Sequence, residues 1–286
     1  MSSQTVKSQH SDEIRQGGRF DFGANWHRFL AGVTEAHIQN AVGSMQEMLD
    51  TDTLEGCDFL DVGSGSGLSS LAARRMGARV HSFDYDPVSV ASTRNMREKF
   101  APGDANWTIS EGSILDETFV AALPQADVVY SWGVLHHTGQ MYRAFDLVYP
   151  RVKPGGRLFI AIYHDTGSSA RRWRKVKKFY CSGPFGRWTV MALFAPREFI
   201  LPFLRDLMKL QNPLRRYKEF HQKRGMTRFH DWIDWIGGYP YEFAKPEQIF
   251  NHFKNCGFDL LNMKLTKHNA CNQFVFRRRR SDPHTI

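Results

Sequence analysis

No stretch of this 286-residue chain reaches about 18 consecutive apolar residues, which argues against a membrane-spanning helix. Cysteine is scarce. Cys57, Cys181, Cys256 and Cys271 stand far apart, with neither CxxC pairing nor metal-ligand spacing. Scattered thiols argue against a disulfide framework and predict a reducing, cytoplasmic setting. The first twenty residues are polar and contain no apolar core, so no secretory leader is expected. Internal repeats and low-complexity runs are also missing, which argues against a solenoid or a disordered linker.

What is present is the composition of a globular protein, with 42% hydrophobic and 13% aromatic residues. The net charge is +9, but it is unevenly placed. Residues 165–224 hold fifteen Lys/Arg against four Asp/Glu, a balance of +11, so the rest of the chain nets −2. The basicity therefore belongs to one segment.

From Cys57 onward the pattern alternates between strand and helix. "CDFLDV" reads as a buried strand and "LSSLAARRMG" as a helix stopped by Gly77. "RVHSFDYD" is a second strand, and Pro87 opens a helix that runs to about Phe100. "WTISEG" and "ADVVYSW" are the third and fourth strands, "MYRAFDLVYPRV" is helical, "KPGG" is a turn, and "RLFIAIYH" is the fifth strand. After a long interval come a helix, "KPEQIFNHFKNCGF", and two closing strands, "DLLNMKLTK" and "CNQFVFRR". The run Arg277–Arg280 is expected to be a frayed tail. Such alternation predicts an α/β fold with a doubly wound, mostly parallel sheet, whose ligands bind beyond the carboxyl ends of the strands.

The stretch "DVGSGSGLSS" lies at one of those ends. A dinucleotide fingerprint, G-x-G-x-x-G, would need glycine at position 68, which is Leu68. No Lys-Ser/Thr follows, so a phosphate-cradling P-loop is excluded. Asp84 ends the second strand about 20 residues on, where a carboxylate can accept hydrogen bonds from both ribose hydroxyls. In "EGSILD", a small polar and an apolar residue could hold an adenine ring. Asp61, directly before the glycines, would repel a pyrophosphate but suit a ligand bearing an ammonium and a sulfonium. The loop is therefore expected to admit S-adenosylmethionine.

"FLDVGSGSG", "VHSFDYDPVSV", "DVVYSWGVLHHT" and "VKPGGRLFIAIY" resemble the class I S-adenosylmethionine-dependent methyltransferases, nearest to the ubiquinone-pathway O-methyltransferases. The resemblance covers roughly residues 56–163 and the 245–277 closing unit. It implies a Rossmann-like seven-stranded sheet with four parts: an N-terminal cap (1–55), the cofactor core (56–163), a basic aromatic helical insertion (164–244) and a closing unit with a basic tail (245–286). It further implies that Gly63, Gly65 and Gly67 pack against the methionine moiety and that Asp61 orients its amino group. By the same resemblance Asp84 holds the ribose, and Tyr85, Ser113 and Ile114 flank the adenine. Ser131 and Trp132 approach the sulfonium. His137 matches a histidine of the relatives. His136 replaces a usually acidic, metal-serving position, so no metal is expected.

Methylation of a hydroxyl requires removal of its proton, and imidazole titrates near neutrality. His137 and His136 in "VLHHT" are the candidate bases, followed by His164 at the end of the fifth strand, with the rate expected to rise with pH through the imidazole titration. His230 and His268 are weaker candidates. Asn269 and Asn272 read either as substrate donors or as turn residues. The chain has "SWGV" where nucleobase amino-methylating enzymes carry Asn/Asp-Pro-Pro-aromatic, and no cysteine nucleophile stands there. These absences lower a nucleic-acid role despite the charge.

The eighty-residue interval between strand five and the closing helix exceeds any crossover requirement. "ARRWRKVKKFY", "GRWTVMALFAPREFILPFL" and "RRYKEFHQKRGM" mix basic and large apolar residues. That composition fits a lid, a surface lying on an anionic membrane, or a nucleic-acid contact. In "FDFGANWHRFL", Phe22, Trp26 and Phe29 are expected either to line the pocket or to pack in the core. The expected activity is O-methylation of a small-molecule or lipid-linked acceptor, with RNA binding or RNA methylation as the alternative. A nicotinamide dehydrogenase is disfavoured by Leu68 and Asp61.

Overall fold

The structure is a computed structural model that describes residues 3–213, 215 and 228–280. Seven strands form one sheet: β1 (Asp58–Val62), β2 (Arg79–Asp84), β3 (Trp107–Glu111), β4 (Ala126–Trp132), β5 (Val152–Tyr163), β6 (Phe258–Lys264) and β7 (Cys271–Arg278). Their order is β3-β2-β1-β4-β5-β7-β6. The first five are parallel, and β7 runs antiparallel to both β5 and β6. The expected doubly wound sheet is present. The chain reverses direction across the sheet between β1 and β4, so a crevice opens beyond their carboxyl ends.

Helices pack on both faces. Against one face lie α2 (Phe22–Ala31), α3 (Glu35–Leu49), α4 (Leu68–Arg75) and α5 (Pro87–Phe100), whereas α1 (Ser3–Arg15) meets the end of β2 through Glu13, which accepts from Tyr85 Oη. The core on this side joins Phe29, Ile38 and Met45 to Phe59, Leu71 and Trp107. On the other face α6 (Glu117–Ala122) and α7 (Met141–Val148) pack with a later helix, their core including Leu60, Val129, Phe145 and Ile160. Val128 and Val129 are both buried, facing opposite sides, as a strand covered on both faces requires.

"FDFGANWHRFL" is largely α2 itself. The "KPGG" stretch lies within β5. Opposite Ala126 and Val128 of β4 stand Val152 and Arg157, so six residues of β5 span three of β4 in a bulge. Gly155, at φ +84°, supplies the left-handed residue that such a bulge needs. Arg277 and Arg278 are paired residues of β7, not a frayed tail; Arg278 donates to the Val152 carbonyl at 2.8 Å.

The inserted segment contains α8 (Ser168–Cys181), α9 (Pro184–Ala195), a π-helical turn (Pro196–Ile200), α10 (Leu201–Met208) and α11 (Arg228–Gly237). Its own apolar cluster joins Tyr180, Val190, Trp232 and Ile236 to Phe20 of the N-terminal region. The cap and the insertion therefore meet over the same end of the sheet. The closing helix α12 (Pro246–Asn255) starts with Pro246 and ends before Gly257, at φ +82°. Most of "RRYKEFHQKRGM" and the side chain of His230 lie outside the described residues.

Candidate active site

A cavity of about 720 Å³ occupies the crevice beyond β1, β2 and β4. It is walled by the glycine loop, by Asp61 and Asp84, and by Phe22, Trp26 and Phe29 of α2. Phe22, Trp26 and Phe29 thus line the pocket; Phe29 is also part of the core behind it.

The loop after β1 comes close to its surroundings at two glycines. At Gly63 (φ +82°) an added Cβ would collide with Val134 Cγ1. At Gly65 (φ +56°) it would lie 3.3 Å from the Trp26 ring, and the Gly65 N–H donates to Asp84 Oδ2 at 2.9 Å. Gly67, at φ +81°, opens α4 and faces Thr93 and Met96 of α5 rather than the cavity.

Asp61 is 1% exposed and accepts a 2.5 Å hydrogen bond from Ser70 Oγ. Ser70 in turn contacts Ser82 Oγ at 2.6 Å, which accepts from Trp107 Nε1 at 2.8 Å. Burial pushes the Asp61 carboxyl up to about 7, and the nearby Asp84 carboxylate adds to the effect. Burial likewise pushes Asp84 up to about 6, against the backbone N–H groups of Asp86 and Gly65 that favour its charged form. A buried and a partly buried carboxylate in one cavity form a site that a positive group or a set of hydroxyl donors would stabilise.

Tyr85 lines the same cavity and is fixed from the cap. Its Oη donates to Glu13 at 3.2 Å, and the Arg19 guanidinium lies 5.0 Å from its ring centroid. Asp86 caps α5 through the Val88 N–H and accepts from Gly23 N at 2.7 Å, which ties α2 to the β2 loop. Ser113 and Ile114 complete this lobe. Ser113 Oγ accepts from Leu115 N at 3.1 Å, turning the chain after β3.

At the other end of the cavity Trp132 is a wall residue and 43% exposed. Ser131 is fully buried instead, and its hydroxyl donates to the Val62 carbonyl at 3.0 Å, stitching β4 to β1. His137 lines the cavity, and its Nδ1 lies 2.5 Å from the Pro240 carbonyl. A carbonyl can only accept, so Nδ1 carries the proton and Nε2 keeps its lone pair. Burial lowers this imidazole to about 3, despite the Pro240 contact, with Lys177 and Arg19 adding to the shift. The ring is therefore neutral throughout the working range, and the expected titration near neutrality does not come from His137.

His136 is fully buried behind it and does not line the cavity. Its nitrogens make no aligned hydrogen bond, although the Ala161 carbonyl lies close enough to favour its charged form slightly; burial holds it well below its usual value. His164 is also off the cavity wall, where its Nδ1 contacts Asn272 Nδ2 at 3.1 Å. Asn272 accepts from Thr266 N at 2.9 Å, a turn-holding role. Asn269 reaches the cavity, with its carbonyl accepting from Trp235 Nε1 at 3.2 Å. The residues that sequence reasoning passed over come from the insertion: Asp231, Asp234 and Trp235 of α11 line the cavity together with Tyr163 and Cys271. Among the described residues, one group outside the cavity, Asp146, His252 and Cys256, brings ligand-type atoms within 4.8 Å of one another.

Residues 60–158, which include the glycine loop, Asp84 and the histidine pair, match the methyltransferase domain family. Over these residues the core matches a methyltransferase domain. This domain is similar to the ribosomal protein L11 methyltransferase of Methylococcus capsulatus, 32% identical over 133 residues, or 46% of this chain and 41% of that protein. It is also similar to the ubiquinone biosynthesis O-methyltransferase of a Methylobacterium strain, 27% identical over 169 residues, covering 54% of this chain and 66% of that protein. The chain thus spans less than half the length of the first of these relatives. Beyond the domain, the fold is similar to the crystal structure of magnesium protoporphyrin IX methyltransferase from Synechocystis, with bound SAH. That likeness has a TM-score of 0.53 at 14% identity and covers 89% of this chain and 93% of that one.

Proposed function

We propose that the protein methylates an oxygen on a small-molecule or lipid-linked acceptor, using S-adenosylmethionine. The observation that carries the reading is the pair of acids, buried Asp61 and partly buried Asp84, beside the left-handed glycines Gly63 and Gly65, where an added Cβ would crowd Val134 and Trp26. Two acids that burial holds near neutral pKa suit a ligand carrying an amino group, a sulfonium and ribose hydroxyls. They would disfavour a pyrophosphate. Asp61 would meet the amino group, Asp84 the ribose, and Tyr85, Ser113 and Ile114 the adenine.

When bound, S-adenosylmethionine supplies an electrophilic methyl group on a positively charged sulfur. The chain's residues have two tasks around it. Phe22, Trp26 and Trp132 exclude water from the reacting end. The Pro240 contact fixes the His137 tautomer, so that Nε2 is ready to accept the acceptor's proton at any pH above about 4. Its low basicity suits an acidic hydroxyl better than an aliphatic alcohol.

The lipid-linked form of the acceptor is favoured by the outer face of the insertion. Phe185, Trp188 and Met208 are 75%, 70% and 79% exposed, and Leu193, Leu201 and Leu210 are exposed with them. Arg187, Arg197, Arg205 and Lys209 are exposed on the same segment. Large apolar side chains among exposed cations suit an anionic bilayer surface, where each basic residue contributes about 1 kcal/mol. No helix among the described residues is long and apolar enough to cross a membrane. Extracts incubated with methyl-labelled S-adenosylmethionine and divided into lipid, small-molecule and RNA fractions test the reading. Label in a base-labile or ether-linked small or lipid product supports it. Label confined to RNA establishes the alternative.

A further inference from the structure

Helix α8 carries six basic residues, and one of them does not behave like the others. Arg171, Arg172, Arg174, Lys175 and Lys178 are exposed, whereas Lys177 is 0% exposed. Among the described residues its Nζ has no hydrogen-bond partner. It sits instead among rings, 4.6 Å from the Trp235 centroid, 4.8 Å from Tyr241 and 6.0 Å from Tyr163. The Tyr241 hydroxyl in the same place is also buried and unpartnered.

Cation–π contacts offset only part of the cost of burying an ammonium, and a buried charge ordinarily has a hydrogen-bonded counterpart. The groups facing Lys177 do not supply one. Cys181 of α8 and Cys271 of β7 are pushed up by burial to about 11 and about 12, so both thiols are protonated. Tyr163 and Tyr241 are raised and neutral, and both neighbouring histidines are held neutral. Asp234 is the carboxylate whose field reaches the amine, yet it makes no hydrogen bond to Nζ. Two of the surrounding rings, Tyr163 and Trp235, are walls of the large cavity. Lys177 thus lies one ring layer behind the acceptor end, a distance that a flexible four-carbon stem can cross.

We propose that Lys177 anchors an acidic oxygen of the methyl acceptor, a carboxylate or phenolate on a ring-sized apolar body, at the Tyr163–Trp235 end of the cavity. The proposal rests on the methyltransferase reading and adds the acceptor's class. Tyr241 donates the second hydrogen bond to that oxygen, and Tyr163 and Trp235 enclose the apolar body. Burial brings Lys177 down to about 7, with Asp234 opposing the shift. An anion binds the protonated form, so its affinity is full below that value and declines as pH rises through it.

The probes are benzoate and its neutral isostere benzamide, titrated calorimetrically into the full chain saturated with S-adenosylhomocysteine. The wild type should prefer benzoate by roughly tenfold at about pH 6, as a charge-assisted hydrogen bond provides, and the preference should shrink by about pH 8.5. Lys177→Met should abolish the preference while S-adenosylhomocysteine affinity stays unchanged. Equal binding of the two probes by the wild type, or an unaltered benzoate preference in Lys177→Met, overturns the proposal. If the variant does not fold, NMR of wild-type protein labelled at lysine Cε decides. One lysine should titrate near neutrality and move upward with benzoate; a spectrum in which every lysine titrates in the ordinary range and ignores benzoate overturns the proposal. Failure of S-adenosylhomocysteine itself to bind is a separate result, which overturns the methyltransferase reading and the proposal with it.

Discussion

The Gly65 N–H donates to the Asp84 carboxylate across the crevice at 2.9 Å, joining the loop after β1 to the end of β2. One carboxylate oxygen is thereby committed to holding the loop. The other accepts from Asp86 N at 2.9 Å, so both are oriented by backbone before any ligand arrives. Asp84→Ala should weaken S-adenosylmethionine binding by about 1–3 kcal/mol through lost charge-assisted hydrogen bonds. Asp84→Asn, which keeps the shape and one acceptor, should fall between. Equilibrium binding on the two folded variants checks the order.

Gly63 provides a test of packing. Gly63→Ala places a methyl group against Val134 in a left-handed backbone conformation, and should cost about 1–3 kcal/mol of stability. In the double variant Gly63→Ala/Val134→Ala the clash with the two γ-methyls is removed, while a tight 3.0 Å contact to the Val134 Cβ position and the backbone strain remain. Its loss relative to Val134→Ala should therefore be smaller than that of the single change, by thermal or urea unfolding.

The raised acids predict opposite pH trends for stability and affinity. In the folded protein Asp61 and Asp84 are raised to about 7 and about 6, above the ordinary aspartate value of 3.8. Groups raised on folding contribute stability at low pH that is lost as pH rises through their folded values. The ligand-free protein should therefore gain stability from these two groups as pH falls from about 7.5 to about 5. Over the same window S-adenosylmethionine affinity should fall, because protonation removes the charges that hold it. Melting curves with and without ligand at several pH values report both trends.

His137→Ala should retain cofactor binding and lose roughly 10²–10⁴ in turnover if it takes the acceptor's proton. The wild-type profile should show no imidazole step between about pH 5 and pH 8, since burial keeps the ring neutral there. His136→Ala should act through packing against His137 and Tyr163, whose ring centroids lie 4.4 and 4.3 Å away. A folded His136→Ala variant should therefore lose far less turnover. Comparing kcat, KM and melting temperature across the two variants separates the roles.

The sheet was legible because each strand carries its own pattern, and the order of patterns fixes the winding. The place of Asp61, Gly63, Gly65 and Asp84 on the cavity wall was legible for the same reason, since the two acids lie at strand ends and the glycines follow β1. Other site features depend on contacts between distant segments. Nothing local to Ser131 tells that its hydroxyl is spent on Val62, or that Pro240, over a hundred residues away, fixes the His137 tautomer. Lys177 had a readable signal that the charge run obscured. Ala170, Trp173, Lys177, Tyr180 and Cys181 share one helical face, and Lys177 is the only charge on it. Gly155 read as a turn because Pro-Gly-Gly is a turn signal, yet the adjacent strand draws it into a bulge.

The central claim is that the crevice beyond β1 and β2 takes S-adenosylmethionine through Asp84 and the glycine loop. Calorimetric titration of the wild type and Asp84→Ala with S-adenosylhomocysteine and, separately, with NADH tests it most directly. The account predicts one-site binding of S-adenosylhomocysteine to the wild type, about tenfold or more weaker in Asp84→Ala, and no saturable heat with NADH. Saturable NADH binding, or S-adenosylhomocysteine affinity untouched in a folded Asp84→Ala variant, would contradict it.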